Sequence, residues 1–222
     1  MSDFDEVVRL RRSVRGFVSD RPVPTETLQE ALEAAQWSPS NCNVQPWRVF
    51  IASGSRRDTL SDKLSAALDS GNFGSPEDAI DSFPDDYRRL QIECGATLYG
   101  AMSVARDDHA GRLAALRRNY ELFDAPHVAV VCMEKHFGMG VALDVGMWVQ
   151  TFMLALQDRG IASCPQAALR HYPNIIRESL GIRDSLRILC GISFGYEDVD
   201  VPANTSRQKR EPIAHNVTFL DA

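Results

Sequence analysis

One nearly unbroken apolar run, His127 to Met133, constrains the fold of this chain more than any other feature. A run of this length is typical of a strand covered on both faces, so we expect it near the centre of a sheet. Trp47–Ile51 and Leu186–Tyr196 predict two further strands. These three strands stand among six or more predicted helices without regular βαβ alternation. The pattern therefore indicates an α+β fold rather than a doubly wound sheet.

Apolar residues at helical spacing predict the helices, which cover about 3–12, 26–37, 56–68, 87–105, 108–122, 145–158 and 174–180. The helices over 87–105 and 108–122 are expected to be largely buried on one side. The helix over 145–158 is apolar on nearly every side, so we expect it inside the fold, with Asp144 as its N-cap.

Three other segments have no helical period. The chain between Asp69 and Asp86 is rich in Gly, Pro, Ser and Asp, which predicts a long surface loop. We expect it to form a lid or insertion over about 69–90. Ser163–Gln166 is predicted to be a tight connection. Val217–Leu220 is predicted either to add an edge strand or to clasp another subunit, as part of a tail over about 201–222.

Composition limits the class of protein. A length of 222 residues fits a single domain over 1–222, and a net charge of -6 argues against a general nucleic-acid binder. Five scattered cysteines without CxxC pairs favour a reducing compartment. The N-terminus has no apolar signal region, and no run reaches the roughly 18 apolar residues of a membrane span, so we expect a cytoplasmic protein with no membrane partner. The histidines show no HExxH or paired spacing, so no metal site is expected.

The first candidate for chemistry is Arg11-Arg12-Ser13-Val14-Arg15, at the end of the first helix. Three guanidinium groups in five residues repel one another unless an anion compensates them, which suits a phosphate. Taken alone, the segment is more often a solvated basic turn.

A second candidate lies between the prolines of Ser38-Pro39-Ser40-Asn41-Cys42-Asn43-Val44-Gln45-Pro46-Trp47. Its amide and hydroxyl groups stand on stiff backbone and suit the edge of a heterocycle. The alternative, that these side chains satisfy the loop's own backbone, has equal weight.

Two further candidates are weaker. Small residues in Gly160–Leu169 would let a flat ligand approach the backbone, although small residues also allow close helix packing. Arg207–Pro212 is basic and lies near the C-terminus, where a solvent-exposed tail is the ordinary outcome.

Together and in this order, the four segments resemble the nitroreductase family of FMN enzymes, from about Val7 to Phe219. The family's Arg-x-Ser-x-Arg/Lys followed by Phe matches Arg11 to Phe17, and its Pro-Ser-x-x-Asn-x-Gln-Pro-Trp matches Pro39 to Trp47. A closer likeness, to bacterial nitrobenzoate or nitroaromatic reductases, is carried by Glu93-Cys94-Gly95, Leu98-Tyr99-Gly100, Ala105-Arg106-Asp107-Asp108, Cys164-Pro165-Gln166-Ala167 and Leu189-Cys190-Gly191.

The resemblance implies a mostly antiparallel sheet flanked by helices and a homodimer with FMN at the interface. It implies that Arg11 and Ser13 face the ribityl phosphate with Arg12 beside them, and that Arg210 is a second phosphate ligand. Arg15 would lie near the pyrimidine edge and tune the flavin. The cofactor-binding residues it implies are Arg11, Arg12, Ser13, Arg15, Pro39, Ser40, Asn41, Asn43, Pro165, Gln166, Ala167, Ala168, Gln208 and Arg210.

Two positions depart from the family pattern. Relatives often carry Gly or Glu where this chain has Ala167, so the resemblance implies only that the Ala167 backbone N–H lies near flavin N5. Gln208 stands where some relatives have Lys.

The implied activity is a ping-pong reduction of a nitroaromatic or similar electron-poor acceptor by NAD(P)H, with hydride carried by the flavin rather than by a catalytic side chain. Alternatives are a reductive dehalogenase or another flavin enzyme on the same fold, and a flavin-binding module with little turnover. The sequence contains no GxGxxG motif that would bind a dinucleotide, so the preference between NADH and NADPH stays open.

Overall fold

The computed structural model describes residues 3–78 and 82–220. Its α-helices are α1 (Asp3–Leu10), α2 (Thr25–Gln36), α3 (Gly54–Asp69), α4 (Asp85–Ala101), α5 (His109–Arg117), α6 (Met139–Asp158), α7 (Pro173–Leu180) and α8 (Ile213–Asn216). Its strands are β1 (Arg48–Ser53), β2 (His127–Glu134), β3 (Ala162–Gln166) and β4 (Leu186–Gly195). Short 3₁₀ turns cover Asn41–Asn43, Leu122–Asp124, Ala167–His171 and Pro202–Thr205.

The four strands form one sheet in the order β1-β2-β4-β3. Every neighbouring pair in it is antiparallel. β2 lies inside the sheet, where Ala129 is opposite Ile51 of β1 and Ile192 of β4. The predicted central strand and the α+β class with an antiparallel sheet are confirmed.

Both faces of β2 are covered, which is why its sequence is apolar at successive positions. Ala129, Val131 and Met133 belong to a core cluster shared with α2 and α6. Val128 and Val130 face the opposite cluster, built with α3 and α7. Since full burial of one such aliphatic side chain contributes about 1.5–3 kcal/mol, this strand anchors both layers of the core.

The edges of the sheet differ from the expectation. Ser163–Gln166, predicted to be a tight connection, lies within strand β3, which pairs with β4 over its whole length. Pro165 hid this strand in the sequence, yet Pro is tolerated on an edge strand. Val217–Leu220 forms no strand, so the edge-strand alternative was wrong. Of the tail, 221–222 lie outside the described residues.

α6 begins at Met139, six residues earlier than predicted, and Gly138 is its N-cap. Asp144 is therefore buried inside the helix, where its carboxylate accepts the backbone N–H of Asn41 at 3.1 Å. An 18-residue window of this 20-residue helix has a mean hydropathy of 1.5, so by length and composition the helix could cross a membrane, contrary to our expectation for the sequence. Its buried side, with Trp148 and Phe152, packs in the core between α2 and the sheet.

The expectation that the helices after the predicted lid are largely buried on one side was wrong. Neither α4 nor α5 contributes a buried residue, and Tyr87 and Ile92 of α4 are more than half exposed. Their apolar residues line open cavities against each other and against the turn Pro202–Thr205 instead of joining a core cluster.

The segment predicted as a lid is fastened to the body of the protein along its first part. The hydroxyl of Tyr172 donates to the carbonyl of Asn72 at 2.7 Å. The carboxylate of Glu77 accepts Arg177 at 2.7 Å and lies 3.0 Å from the ammonium of Lys135. Residues 79–81 of the predicted lid lie outside the described residues, and its last part, from Asp85, is already helix α4.

Candidate functional site

The basic N-terminal segment extends the sheet beyond its β3 edge. Ser13 forms a parallel bridge with Ser163 of β3, and the backbone N–H of Val14 donates to the carbonyl of Ser163 at 3.1 Å. This pairing brings the first and third candidate segments together, so the Cys164 thiol lies within reach of a hydrogen bond from the Ser13 side chain and of the charges of Arg11 and Arg15.

Arg11 and Arg210 converge although they stand at opposite ends of the chain. Burial, and then the positive charge of Arg210, lowers the pKa of Arg11 from its ordinary value. Within the described ranges neither guanidinium forms an ion pair, and the buried Nε of Arg11 has no hydrogen-bond partner. Among the described residues, Arg210 donates only to the backbone carbonyls of Gln208 and Lys209. Two guanidinium groups that repel each other without a carboxylate partner form a place for an anion.

Arg12 has a different environment. Its guanidinium forms a salt bridge with Glu197, and both side chains are about one quarter exposed. Glu197 is held there by the antiparallel bridge between it and Phe17. The charge of Arg12 is thus compensated inside the chain, which makes Arg12 a weaker candidate for an anion ligand than Arg11.

Arg15 is held by a residue that the sequence did not reveal. The side-chain oxygen of Asn204 accepts the Arg15 backbone N–H at 2.7 Å. The amide nitrogen of Asn204 donates to the carbonyls of Gly16 at 2.9 Å and Asp198 at 2.8 Å. The bonds to Arg15 and Gly16 join residues that are distant in sequence, so no motif spacing points to Asn204. Among the described residues, the Arg15 guanidinium has a single hydrogen-bond partner, the carbonyl of Ser13.

A cavity of about 450 Å³ opens beside Arg15, and we refer to it as the Arg15 cavity. Its walls come from α4, α5 and the turn Pro202–Thr205, and include Tyr99, Val104 and Asn119. Asn119 is a second residue missed in the sequence, where it is one polar residue in a basic stretch. Its carbonyl accepts the side chain of Gln166 at 2.7 Å, so it joins this cavity to β3.

The third segment offers backbone rather than side chains. Gln166 is buried and its side chain is engaged inside the protein, since its amide donates to the carbonyl of Asn119 and its oxygen accepts the hydroxyl of Ser193 at 2.5 Å. Any contact of Gln166 with a ligand therefore falls to its backbone. Ala167 is exposed where β3 turns into the following 3₁₀ turn, with half-buried Pro165 and Ala168 on either side of the Gln166–Ala167 pair.

Cys164 is not a nucleophile. Burial raises the pKa of its thiol to about 11, although Arg15, Ser13 and Arg11 act in the opposite direction. The thiol is therefore protonated at neutral pH and packs with Val14 and Phe17 in a small core cluster.

The second candidate segment is a self-contained loop. The hydroxyl of Ser40 accepts the Gln45 backbone N–H at 3.0 Å, and the Gln45 amide donates to the carbonyl of Asn43 at 3.2 Å. Asn41 is held by Asp144 of α6. Ser38 is buried, while Pro39, Asn41 and Asn43 are exposed. In the part of the chain that the structure describes, no hydrogen bond or ion pair joins this loop to Arg11, Ser13, Arg15 or Arg210.

The C-terminal segment lies along α4. The side-chain amide of Gln208 donates to the carbonyl of Cys94 at 3.2 Å, and Glu211 forms an ion pair with Arg89 at 3.1 Å. These contacts fix the chain on both sides of Arg210. A cavity of about 1080 Å³ lies between this segment and α4, next to Arg210. The candidate site thus combines the Arg11–Arg210 pair, the Arg15 cavity and the exposed end of β3.

Comparison with known proteins matches this architecture. The sequence profile of the Nitroreductase family matches residues 8–196. A 4-nitrobenzoate reductase of Nocardioides sp. (strain LMS-CY) is 35% identical over 98% of this chain and 90% of the relative. The crystal structure of the FMN-dependent nitroreductase NfnB from Mycobacterium smegmatis, in complex with NADPH, is 33% identical, with a TM-score of 0.93 over 98% of this chain and 97% of that one. The FMN- and NADPH-dependent NfnB from Sphigopyxis sp. strain HMH is 32% identical, with a TM-score of 0.95 over 99% of this chain and 100% of that one.

Proposed function

Because this chain belongs to the nitroreductase family, we propose that it is an FMN-dependent enzyme that uses NAD(P)H to reduce nitroaromatic or similar electron-poor compounds. The observation in the structure that carries the proposal is the convergence of Arg11 and Arg210 without a carboxylate partner among the described residues. A phosphate ester would supply the missing negative charge and accept charge-assisted hydrogen bonds from both guanidinium groups.

The residues present fit FMN. Arg11 keeps a buried Nε–H without a partner among the described residues, and the positive charge of Arg210 acts on it. Arg15 faces a mainly apolar cavity large enough for part of a ring system. We propose that Arg11, Ser13 and Arg210 hold the phosphate and that Arg15 stabilises negative charge on the ring. The chemistry that bound FMN supplies is two-electron transfer from NAD(P)H to the acceptor in two half-reactions.

The protein's own part is to bind and orient the FMN and to limit the access of water to it. The bonds of Asn204 fix Arg15 at one end of the site. The packing of Cys164 and Val14 keeps the seam between β3 and the N-terminal segment apolar. No protein nucleophile is needed, because hydride transfer at the flavin does not pass through a side chain.

We also propose a homodimer that completes the site. Its support is the exposed stretch 41–45, which among the described residues forms no hydrogen bond or ion pair with Arg11, Arg15 or Arg210, and the apolar side chains exposed outside the core. The most exposed of these are Trp37, Met139, Val199, Phe219 and Leu220. Sedimentation velocity tests it: dissociation by dilution should release FMN, and a monomer that keeps FMN would contradict the proposal.

Fluorescence titration with FMN tests the phosphate assignment. Since a hydrogen bond to a charged group contributes about 1.5–3 kcal/mol, each of Arg11→Ala and Arg210→Ala should weaken FMN binding by about tenfold or more. Arg56→Ala, an exposed arginine of α3, is the matched control and should leave the affinity unchanged. Equal affinities in all variants would refute the assignment.

Stopped-flow absorbance separates an enzyme from a flavin-binding module. After anaerobic mixing with NADPH or NADH, the flavin absorbance should bleach, and it should return when a nitroarene is added. A halophenol in the same assay tests reductive dehalogenation. Bleaching by neither dinucleotide would overturn the proposed function.

A further inference from the structure

A second cavity, of about 670 Å³, is lined by α4, α5 and the segment between them, and we call it the α4–α5 cavity. Three arginines line it: Arg88 on α4, Arg106 between the helices and Arg112 on α5. Its lining, as far as the structure describes the chain, contains no Asp or Glu. The cavity is therefore strongly positive, in a protein whose net charge is -6.

None of the three guanidinium groups forms an ion pair with a described residue. The adjacent Arg89, by contrast, forms ion pairs with both Glu93 and Glu211. Arg112 instead lies over the ring of Tyr99, with its guanidinium carbon 4.6 Å from the ring centroid. Three like charges around one cavity repel each other unless an anion binds between them.

The shape of the cavity suits a flat ring as well as an anion. Gly95 and Gly100 line the α4 wall, and a Cβ added to Gly100 would meet nothing within 4 Å. The ring of Tyr99 and the plane of the Arg112 guanidinium are surfaces on which an aromatic base can stack. The volume exceeds what a single-ring acceptor needs and is sufficient for a nucleoside with a phosphate.

The position relates the cavity to the proposed flavin site. Tyr99 and Val104 line both the α4–α5 cavity and the Arg15 cavity, so the two adjoin across these side chains. An acceptor must bind next to the flavin to be reduced, on the Arg15 side. A dinucleotide can place its reducing ring there and still extend its other end past Tyr99.

We propose that the α4–α5 cavity binds the adenosine 2′-phosphate end of NADPH and thereby selects NADPH over NADH. The inference rests on the proposed function and names the reductant of that site. A 2′-phosphate is the group that distinguishes the two dinucleotides, and a guanidinium cluster is the protein's usual partner for a phosphate dianion. The sequence has no GxGxxG motif that would bind a dinucleotide in another way.

Calorimetry on the FMN-loaded protein measures the site without turnover. Adenosine 2′,5′-bisphosphate should bind at least about tenfold more tightly than 5′-AMP, and Arg106→Ala/Arg112→Ala should abolish the difference. Arg56→Ala, on α3, should keep it. Equal binding of the two nucleotides to the wild-type protein would overturn the inference. So would displacement of the bisphosphate by inorganic phosphate at equal concentration, which would indicate a site for any anion.

Flavin reduction gives the second readout. In the double variant the ratio of the KM for NADPH to the KM for NADH should rise about tenfold or more, because both dinucleotides lose stacking on Arg112 and NADPH alone loses the contacts to its 2′-phosphate. An unchanged ratio of the KM for NADPH to the KM for NADH overturns this inference but not the proposed function. A wild-type flavin that neither dinucleotide bleaches overturns the proposed function, and the bisphosphate titration still decides whether the cavity recognises the 2′-phosphate.

Discussion

The guanidinium of Arg177 donates a hydrogen bond at 2.7 Å to the carboxylate of Glu77, so a buried residue of α7 fastens the segment that precedes α4. Lys135 and the backbone N–H of Ile188 approach the same carboxylate. Burial acts to raise the pKa of Glu77, but the hydrogen bonds from Arg177 and Lys135 outweigh it, and the pKa lies below its ordinary value.

Glu77→Ala should therefore lower the free energy of unfolding by about 1.5–3 kcal/mol, because it leaves the buried charge of Arg177 without its main partner. Urea denaturation followed by circular dichroism measures the change. Glu178→Ala is the control, since its ion pair with Lys63 is exposed and should contribute less than about 1 kcal/mol. Equal effects of the two substitutions would show that Glu77 does not fasten the segment.

The stability of the protein should fall on mild acidification because of His127. The Val23 backbone N–H donates to its Nε2 at 2.9 Å, so Nδ1 carries the proton that is shared with Ser53 at 2.6 Å. Burial lowers the pKa of His127 below its ordinary value of about 6.5. The unfolded chain therefore takes up a proton at a higher pH than the folded chain, and stability is complete above about pH 6.5 and declines as pH falls below it.

His127→Gln tests this, because Gln can accept from Val23 and donate to Ser53 without titrating. Unfolding free energies measured between pH 8 and pH 5.5 should decline less steeply in the variant than in the wild-type protein. Parallel declines would assign the acid sensitivity to other groups.

Arg11 and Arg12 should respond oppositely to truncation. Arg11→Ala removes a charge that Arg210 repels, so the protein without FMN should keep or gain stability while FMN affinity falls. Arg12→Ala leaves Glu197 unpaired and should cost about 1 kcal/mol of stability, with a smaller effect on FMN. Paired denaturation and fluorescence titrations compare them; a larger FMN loss in Arg12→Ala would reverse the ranking of the two ligands.

Asn204→Ala should destabilise the protein by about 2–3 kcal/mol and weaken FMN binding, because it removes the partner of the Arg15 backbone N–H and one of the two hydrogen bonds to each of the Gly16 and Asp198 carbonyls. Thr205→Ala, which removes only a bond to the nearby Pro202 carbonyl, is the matched control and should stay within about 0.5 kcal/mol. If both variants unfold alike, Asn204 does not hold the N-terminal segment.

The central part of the fold could be predicted because its elements have clear local sequence patterns. Successive apolar residues in β2 reflect two covered faces, and Gly181, in a left-handed conformation with φ of 69°, ends α7 as its position after Leu180 indicates. β3 was missed because Pro165 and small polar residues contradict strand propensity, while pairing with β4 overrides it. The burial of α4 and α5 was misjudged because helical spacing of apolar residues does not say what they face.

The candidate site could be predicted from the sequence only because the four segments occur in this order along the chain. The approach of Arg11 to Arg210 and the support of Arg15 by Asn204 are long-range contacts without a local pattern. The loop 38–45 shows the converse limit: its polar residues suit a ligand edge, and yet Ser40, Asn43 and Gln45 mainly satisfy one another.

The bridge between Ser13 and Ser163 has a consequence for how the protein survives without its cofactor. The residues that would bind the anion also cover the outer edge of β3, which otherwise presents unpaired backbone groups to any other strand. If the repulsion between Arg11 and Arg210 loosens this segment when no anion is present, the bound cofactor prevents association of copies of this protein through the edge of β3. Cells short of flavin would then accumulate aggregates of this protein rather than a soluble inactive form.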